Sequence, residues 1–332
     1  MPISINPQDE DKVVSMILRD ARRVISRRQP KADFSKSKVK FQKIVFLVAE
    51  ELEIPITRSW YLYGGYVHSD LVDIETIKSL EDDQPATFDL FNQKITPTEK
   101  PIKPEDVGLR PDKYHAAVER IAPEVFFSKL ERFLVEFYKK APEPYKNFYL
   151  SNTELNRKLK ELEDRSEVSM TGLDSYLDNL PSSAIYDQIS PIVSDLLVGF
   201  AKESFDETYD ALYRFSGILE SYAIELGFGR KGFQRIGYLR EFYNSSIWKT
   251  AALRFSIETV KGIRADEVRA KQQGKLESLL RSLPHQLENL ELELKMDGLM
   301  PSYRKMVEFY EKRYGRGRDL VRALVEAARI NE

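Results

Sequence analysis

Cysteine is absent from this chain of 332 residues, which excludes disulfides, thiolate metal sites and cysteine nucleophiles. Histidine occurs only as His68, His115 and His285, so a histidine-rich metal centre or a Ser-His-Asp triad has little to draw on. With 15 glycines and 16 prolines the chain is no low-complexity protein. No apolar run approaches the ~18 residues of a membrane span, and residues 1–10 are polar and acidic, unlike a secretory leader. A cytoplasmic protein without membrane association is therefore expected. No nucleotide-binding or cofactor motif appears, no fixed-period repeat is found, and paired acids such as Glu50/Glu51, Asp82/Asp83 and Glu291/Glu293 lack the flanking ligands that select a metal. Neither a cofactor nor a metal is expected, and no enzyme signature stands out.

What is present is material for a core: hydrophobic residues make up 42%, including 18 Phe and 17 Tyr. The length favours two domains. The charged fraction of 31%, together with the missing cysteine, leans toward a thermophile-like composition. A net charge of −2 conceals an asymmetry. Residues 19–43 hold ten cations (Arg19, Arg22, Arg23, Arg27, Arg28, Lys31, Lys36, Lys38, Lys40, Lys43) against Asp20 and Asp33. Residues 70–89 hold seven acids against Lys78. Polyanion binding by the first segment, or pairing between the two, accounts for such a pattern.

Helical periodicity predominates. Asn6-Pro7 reads as an N-cap with proline at the first helical position, followed by a helix over 8–28. Gln29 to Ser35 is a loop with Pro30 as breaker. A second helix begins at Ser35 or Ser37 and ends before Pro55, with Val39, Ile44, Leu47, Val48 and Leu52 as its apolar stripe and Lys36, Lys40 and Lys43 largely elsewhere. Residues 60–63 are rich in β formers and suggest a short strand, and Gly64-Gly65 permits a turn with positive φ. A short helix is expected at 71–80. Residues 81–112, with five prolines and many charges, form the linker. Beyond it lie helical patterns at 113–140 (interrupted by Pro123), 151–165, 191–226, 238–273, 284–296, 302–313 and 318–330, with Gly227 and Gly298 as C-terminal caps. Leu276, Leu279, Leu280, Leu283, Leu287, Leu290 and Leu294 step at threes and fours, which suggests pairing with another helix and a possible homo-oligomer, although Pro284 interrupts the run. The expected organisation is all-α apart from the short strand near 60–63: a basic module over 1–80, an acidic proline-rich linker over 81–112 and a helical domain over 113–332.

The stretch Lys40-Phe41-Gln42-Lys43-Ile44-Val45-Phe46-Leu47-Val48-Ala49, followed by Trp60-Tyr61-Leu62-Tyr63-Gly64-Gly65-Tyr66-Val67 with Ser69-Asp70-Leu71 behind it, resembles the Panacea domain, the family of SocA-like antitoxins. The resemblance covers residues 38–71, about a tenth of the chain, and Gly65 stands where that family usually has proline. It implies a compact helical module that binds and neutralises a protein partner such as a toxin, or delivers it to a protease, without catalysis; some such proteins act near DNA. Independently, Trp60, Tyr61, Tyr63 and Tyr66 are large amphipathic side chains of the kind that anchor interfaces, and Gly64 and Gly65 let the backbone bend. These six residues are the expected partner-binding site.

Two other readings compete. Arg22, Arg23, Arg27, Arg28, Lys36 and Lys40, with Arg230, Lys231 and Arg235 in the glycine-rich stretch 227–237, offer phosphate contacts for a nucleic-acid-binding regulator. Five phosphate contacts would give a salt slope of about −4.5. The stretch at 227–237 lacks the order of a P-loop, and 313–318 repeats its ambiguity in miniature. Arg110 and His115 have the spacing of HEPN-type ribonucleases, which would cast Arg110 as a phosphate binder and His115 in acid–base or orienting work; Pro111 departs from that pattern.

Overall fold

The computed structural model describes residues 3, 5–34, 37–69, 87–89, 94–96, 102–169, 184–202, 206–228 and 235–314. The fold is predominantly helical. The chain divides into two compact units, each assembled from separate stretches: unit one comprises Met1–Pro142 and Ala252–Leu276, unit two Glu143–Ala251 and Glu277–Glu332. These units do not follow boundaries at 80 and 112, because contacts distant in sequence decide which segments share a core.

In unit one, Asn6 Oδ1 accepts from the Gln8 amide at 3.3 Å and a short 3-10 turn, Pro7–Asp9, leads into α1 (Glu10–Arg28). Val13, Val14, Ile17, Leu18, Ala21 and Ile25 are buried at helical spacing. Helix α2 (Lys38–Glu51) differs from the one-sided stripe expected of it: Phe41, Gln42, Lys43, Ile44, Val45, Phe46, Val48 and Ala49 are all buried. An all-round buried helix is the centre of its unit, and Lys43 goes inside with it. Strands β1 (Arg58–Tyr61) and β2 (Gly64–Val67) form an antiparallel hairpin with Trp60 opposite Gly65. The strand thus begins and ends two residues before the expected 60–63, and Leu62-Tyr63 makes the turn. Gly64, at φ +83°, follows it as the left-handed residue, a conformation that glycine adopts without steric cost.

A second antiparallel pair, β3 (Thr87–Asp89) with β4 (Lys94–Thr96), lies within the expected linker. Helix α3 (Pro111–Phe127) then packs on α1 and α2. Pro123 sits inside it rather than interrupting it. A lost ladder bond costs about 3 kcal/mol, and burial of Ile121, Ala122, Val125 and Phe126 opposes that cost. The break comes at Ser128, before α4 (Leu130–Tyr138).

Unit two holds α5 (Tyr145–Ser169), α6 (Ala184–Lys202), α7 (Asp206–Phe228), α8 (Ile236–Phe242) and a π turn, Tyr243–Ile247. Helix α9 (Trp248–Thr259) and the long α10 (Ala265–Met296) contribute to both units, and α11 (Tyr303–Tyr314) belongs to unit two. Aromatic rings fill its core: Phe148 stacks on Phe200 at 4.6 Å, and Phe215 on Phe242 at 5.9 Å. Asn244 Nδ2 in the π turn donates to Asn156 Oδ1 at 2.6 Å and to the Arg240 carbonyl at 2.8 Å. Gly298, at φ +69°, ends α10 with the Leu299 amide on the Leu294 carbonyl at 2.8 Å, a Schellman-type cap. Gly227, expected as a cap, lies inside α7, and Ser151 lies inside α5 rather than capping it. Pro284 also lies inside α10, where Leu276, Leu283, Leu287, Leu290 and Leu294 are buried. The helices expected at 71–80 and 318–330 fall outside the described residues.

A hairpin capped on both edges: the candidate functional site

The two halves of the 38–71 stretch are joined by side-chain to main-chain bonds. In the hairpin the His68 amide donates to the Thr57 carbonyl at 2.9 Å. By the alternation of an antiparallel ladder, the main-chain groups of Arg58, Trp60, Gly65 and Val67 then point outward from the two strands. On the β2 edge, Lys43 Nζ donates to the Gly65 carbonyl at 2.7 Å, and Gln42 Oε1 accepts from the Val67 amide at 3.0 Å. On the β1 edge, Arg58 and Lys261 exchange main-chain bonds at 2.9 and 3.0 Å, and Thr259 Oγ1 accepts from the Trp60 amide at 2.8 Å. Adjacent residues of α2 do for one edge what an extra strand would do, which blunts its tendency to pair with another chain.

The period-two alternation also sorts the side chains. Arg58, Trp60, Gly65 and Val67 face inward. Trp60, 8% exposed, stacks on Phe137 with centroids 5.1 Å apart and meets Phe46 edge-on at 5.7 Å. A Cβ on Gly65 would come within 2.6 Å of the Phe46 ring; the glycine is there because the ring takes the space. Lys43 lies in the same layer, 1% exposed, with its ammonium 5.3 Å from the Phe137 centroid. Burial pulls its pKa down to about 7. Tyr61, Tyr66 and His68 lie on the opposite face, half-buried, and Tyr63 at the turn is 62% exposed.

A polar network fixes the base of the hairpin. Glu10, 1% exposed, accepts from the Thr57 amide and from Arg264 Nε at 2.6 Å. Arg264 Nη2 donates to the His68 carbonyl at 3.0 Å, and its main-chain amide to Thr57 Oγ1 at 2.9 Å. Gly262, at φ +113°, lets this segment approach; a Cβ would lie 2.4 Å from the Ile56 carbonyl oxygen. Glu50 binds Arg58 at 2.6 Å and Lys261 at 2.7 Å; although burial pushes its carboxyl up, these cations hold its pKa below the ordinary value. The Ser59 hydroxyl contacts His68 Nε2 at 2.8 Å and Ser256 Oγ at 2.9 Å. Ser59 and Ser256 are buried, so this hydroxyl chain ties the hairpin to α9.

The structure therefore splits the six expected partner-binding residues. Tyr61, Tyr63 and Tyr66 share the outer face and turn, whereas Trp60, Gly64 and Gly65 are buried and build the platform. The expected nucleic-acid residues that are described differ in exposure and in partners. Arg27 and Arg28 are exposed at the end of α1, but the Arg22 guanidinium lies 5.5 Å over the Phe34 ring, and Arg23 is half-buried. Lys40 Nζ caps the end of α3, binding the Phe126 carbonyl and, at 2.9 Å, the Ser128 carbonyl. Arg235 belongs to unit two and is paired with Asp297 at 2.6 Å. Lys36, Arg230 and Lys231 lie outside the described residues. Arg110, at the start of α3, is held by Asp112 at 2.7 Å, while His115 is exposed against the Tyr114 ring. Among the described residues no group of three or more His, Cys, Asp or Glu is placed to hold a metal, and no helix is long and apolar enough to cross a membrane. The residues that sequence reasoning missed are Gln42 and Lys43 as edge caps, and Glu10, His68, Thr259 and Arg264 as supports.

A mostly helical protein whose first unit holds a small, edge-capped β-hairpin with aromatic side chains on its outer face is the class that this geometry defines. The chain belongs to the family described as Domain of unknown function (DUF8098), which matches residues 2–313. No curated protein and no solved structure matches it.

Proposed function

We propose that this protein is a non-catalytic, regulatory binding protein of the antitoxin-like kind, acting in the cytoplasm and capturing a protein partner on the outer face of its hairpin. The observation that carries the reading is the division of the hairpin. One face and both edges are committed to the fold; on the other face Ser59 is buried against Ser256, Tyr61 and Tyr66 are half-buried, and Tyr63 stands exposed at the turn. Rigid aromatic side chains on a fixed scaffold bind at low entropic cost. Because the main-chain edges are occupied by Gln42, Lys43, Thr259 and Lys261, capture proceeds through side chains rather than by strand addition. The likeness of residues 38–71 to the Panacea domain supports the same reading: its two sequence elements are the caps and the hairpin they hold. Occlusion of the partner, or its delivery to a protease, follows from binding alone.

The test is affinity capture from host lysate, with and without nuclease, compared between the wild type and Tyr63→Ala/Tyr66→Ala. Loss of a single nuclease-resistant partner by about tenfold or more in the variant is expected. Capture indifferent to both substitutions, or partners that vanish with nuclease, overturns the reading. In the latter case the weight moves to exposed Arg27 and Arg28, and Arg27→Gln/Arg28→Gln should then flatten the salt dependence.

A further inference from the structure

Unit two contains a half-open cavity of about 340 Å³ where the first two turns of α5 meet the last two turns of α6. That volume is in the range of small-molecule sites, about 300–1,000 Å³. Phe148 and Gly199 make the contact beside which it opens. A Cβ on Gly199 would lie 2.5 Å from the Phe148 ring, and that ring stacks on Phe200 with planes 12° from parallel. Three polar side chains line the cavity. Asn147 and Ser151, four residues apart, share a face of α5, and Asp195 comes from α6, one turn before Val198 and Gly199. Asn147 and Asp195 are exposed and Ser151 is half-buried. None of these three side chains has a hydrogen-bond or ion-pair partner among the described residues, so their bonding capacity is left for a guest. Phe148, Leu150 and Val198 supply apolar wall, and Val198 is 52% exposed. Asp195 is the one charged residue of the lining. Lys146, next to Asn147, is paired with Glu143 at 3.8 Å. The start of α5 and the end of α6 bring helix dipoles of opposite sign, which leaves the carboxylate to set the charge of the cavity.

We infer that this cavity binds a small organic cation, a primary ammonium on an apolar body. Asp195, Asn147 and Ser151 receive the ammonium, and Phe148, Leu150 and Val198 receive the body. An ammonium has three N–H donors and no acceptor, and each of the three polar side chains offers an acceptor oxygen: carboxylate, amide carbonyl and hydroxyl. An anion would set its charge against Asp195 with no cation in the lining to meet it. A neutral alcohol of the same shape forgoes the bond between two charged groups, which is the stronger kind. The site belongs to unit two and the hairpin to unit one, so ligand binding here is a property separate from partner capture and stands or falls without it.

The experiment titrates the full chain at neutral pH with three probes of like shape, phenethylamine, phenethyl alcohol and phenylacetate, followed by ligand-detected NMR. Saturable binding of the amine at about millimolar concentration or below is expected, with the alcohol about tenfold weaker and the carboxylate not bound. Asp195→Asn keeps the shape of the lining and should bring the amine level with the alcohol. Ser151→Phe fills the cavity and should abolish binding of both. Thermal melts of the two variants should superpose on the wild type, since neither side chain is bonded within the fold; should Ser151→Phe lower the melt, Asp195→Asn decides alone. Tyr63→Ala/Tyr66→Ala should leave amine binding unchanged. Equal binding of amine and alcohol, amine binding indifferent to Asp195→Asn, or no saturable binding up to about 10 mM overturns the inference.

Discussion

Lys43 shows how one side chain couples a local pattern to stability. Its ammonium is buried against Phe137 with the Gly65 carbonyl as acceptor, and its pKa falls from 10.5 to about 7. Between those values the unfolded chain holds a proton that the folded chain does not. Stability therefore rises with pH from about 7 to 10.5, by something on the order of 4 kcal/mol. Lys43→Met keeps the volume and removes the charge, so this slope should vanish in urea melts across that window, although the Gly65 carbonyl loses its donor at about 1–3 kcal/mol. Lys43→Ala leaves a cavity and an unbonded carbonyl, and should cost about 2–4 kcal/mol. His68 has the same sign at lower pH. Its folded pKa of about 4, against 6.5 unfolded, gives stability that is complete above about 6.5 and is lost as pH falls toward 4. The loss is about 2 kcal/mol for a half-buried ring, and His68→Gln should abolish it.

The hairpin is the element where sequence and structure speak most plainly to each other. Its aromatic content and paired glycines were readable at once, and so was the helix before it. What composition does not display is which ring turns inward: alternation decides that, and alternation needs the register, which shifted when Leu62-Tyr63 rather than Gly64-Gly65 became the turn. Nor does a lysine in an apolar helix announce burial, since the usual lysine keeps its charge in water; only the outward-pointing Gly65 carbonyl makes a place for it. Prolines misled for a related reason. Pro123, Pro191 and Pro284 all lie within helices, because tertiary burial outweighs a lost ladder bond. A sharp check on the hairpin is Gly65→Ala, whose methyl would enter the Phe46 ring. Displacing that ring from Trp60 and Phe137 should cost about 1–3 kcal/mol and lower the thermal midpoint, whereas Tyr63→Ala at the exposed turn should leave it within about 0.5 kcal/mol.

At the scale of the molecule, all-α character was legible from helical periodicity, and the partition into units was not. Composition marks linkers, but here residues 252–276 join a core that begins with α1, and no local signal reports a partner more than two hundred residues away. A fragment covering residues 1–142 lacks Ser256, Thr259, Lys261 and Arg264. It should show markedly lower amide protection and a broader melt than the intact chain, and adding residues 252–276 through a flexible linker should sharpen both. The same threading sets a timetable for biosynthesis. On the ribosome, Glu10 emerges early and Arg264 follows only after more than two hundred further residues, a wait of about ten to fifty seconds at ordinary elongation rates. Throughout that interval one strand edge of the hairpin is open and a carboxylate destined for burial is unpaired. The nascent chain thus carries, for that interval, an uncovered strand edge of the kind prone to wrong pairing, which the finished protein, with both edges covered, no longer presents.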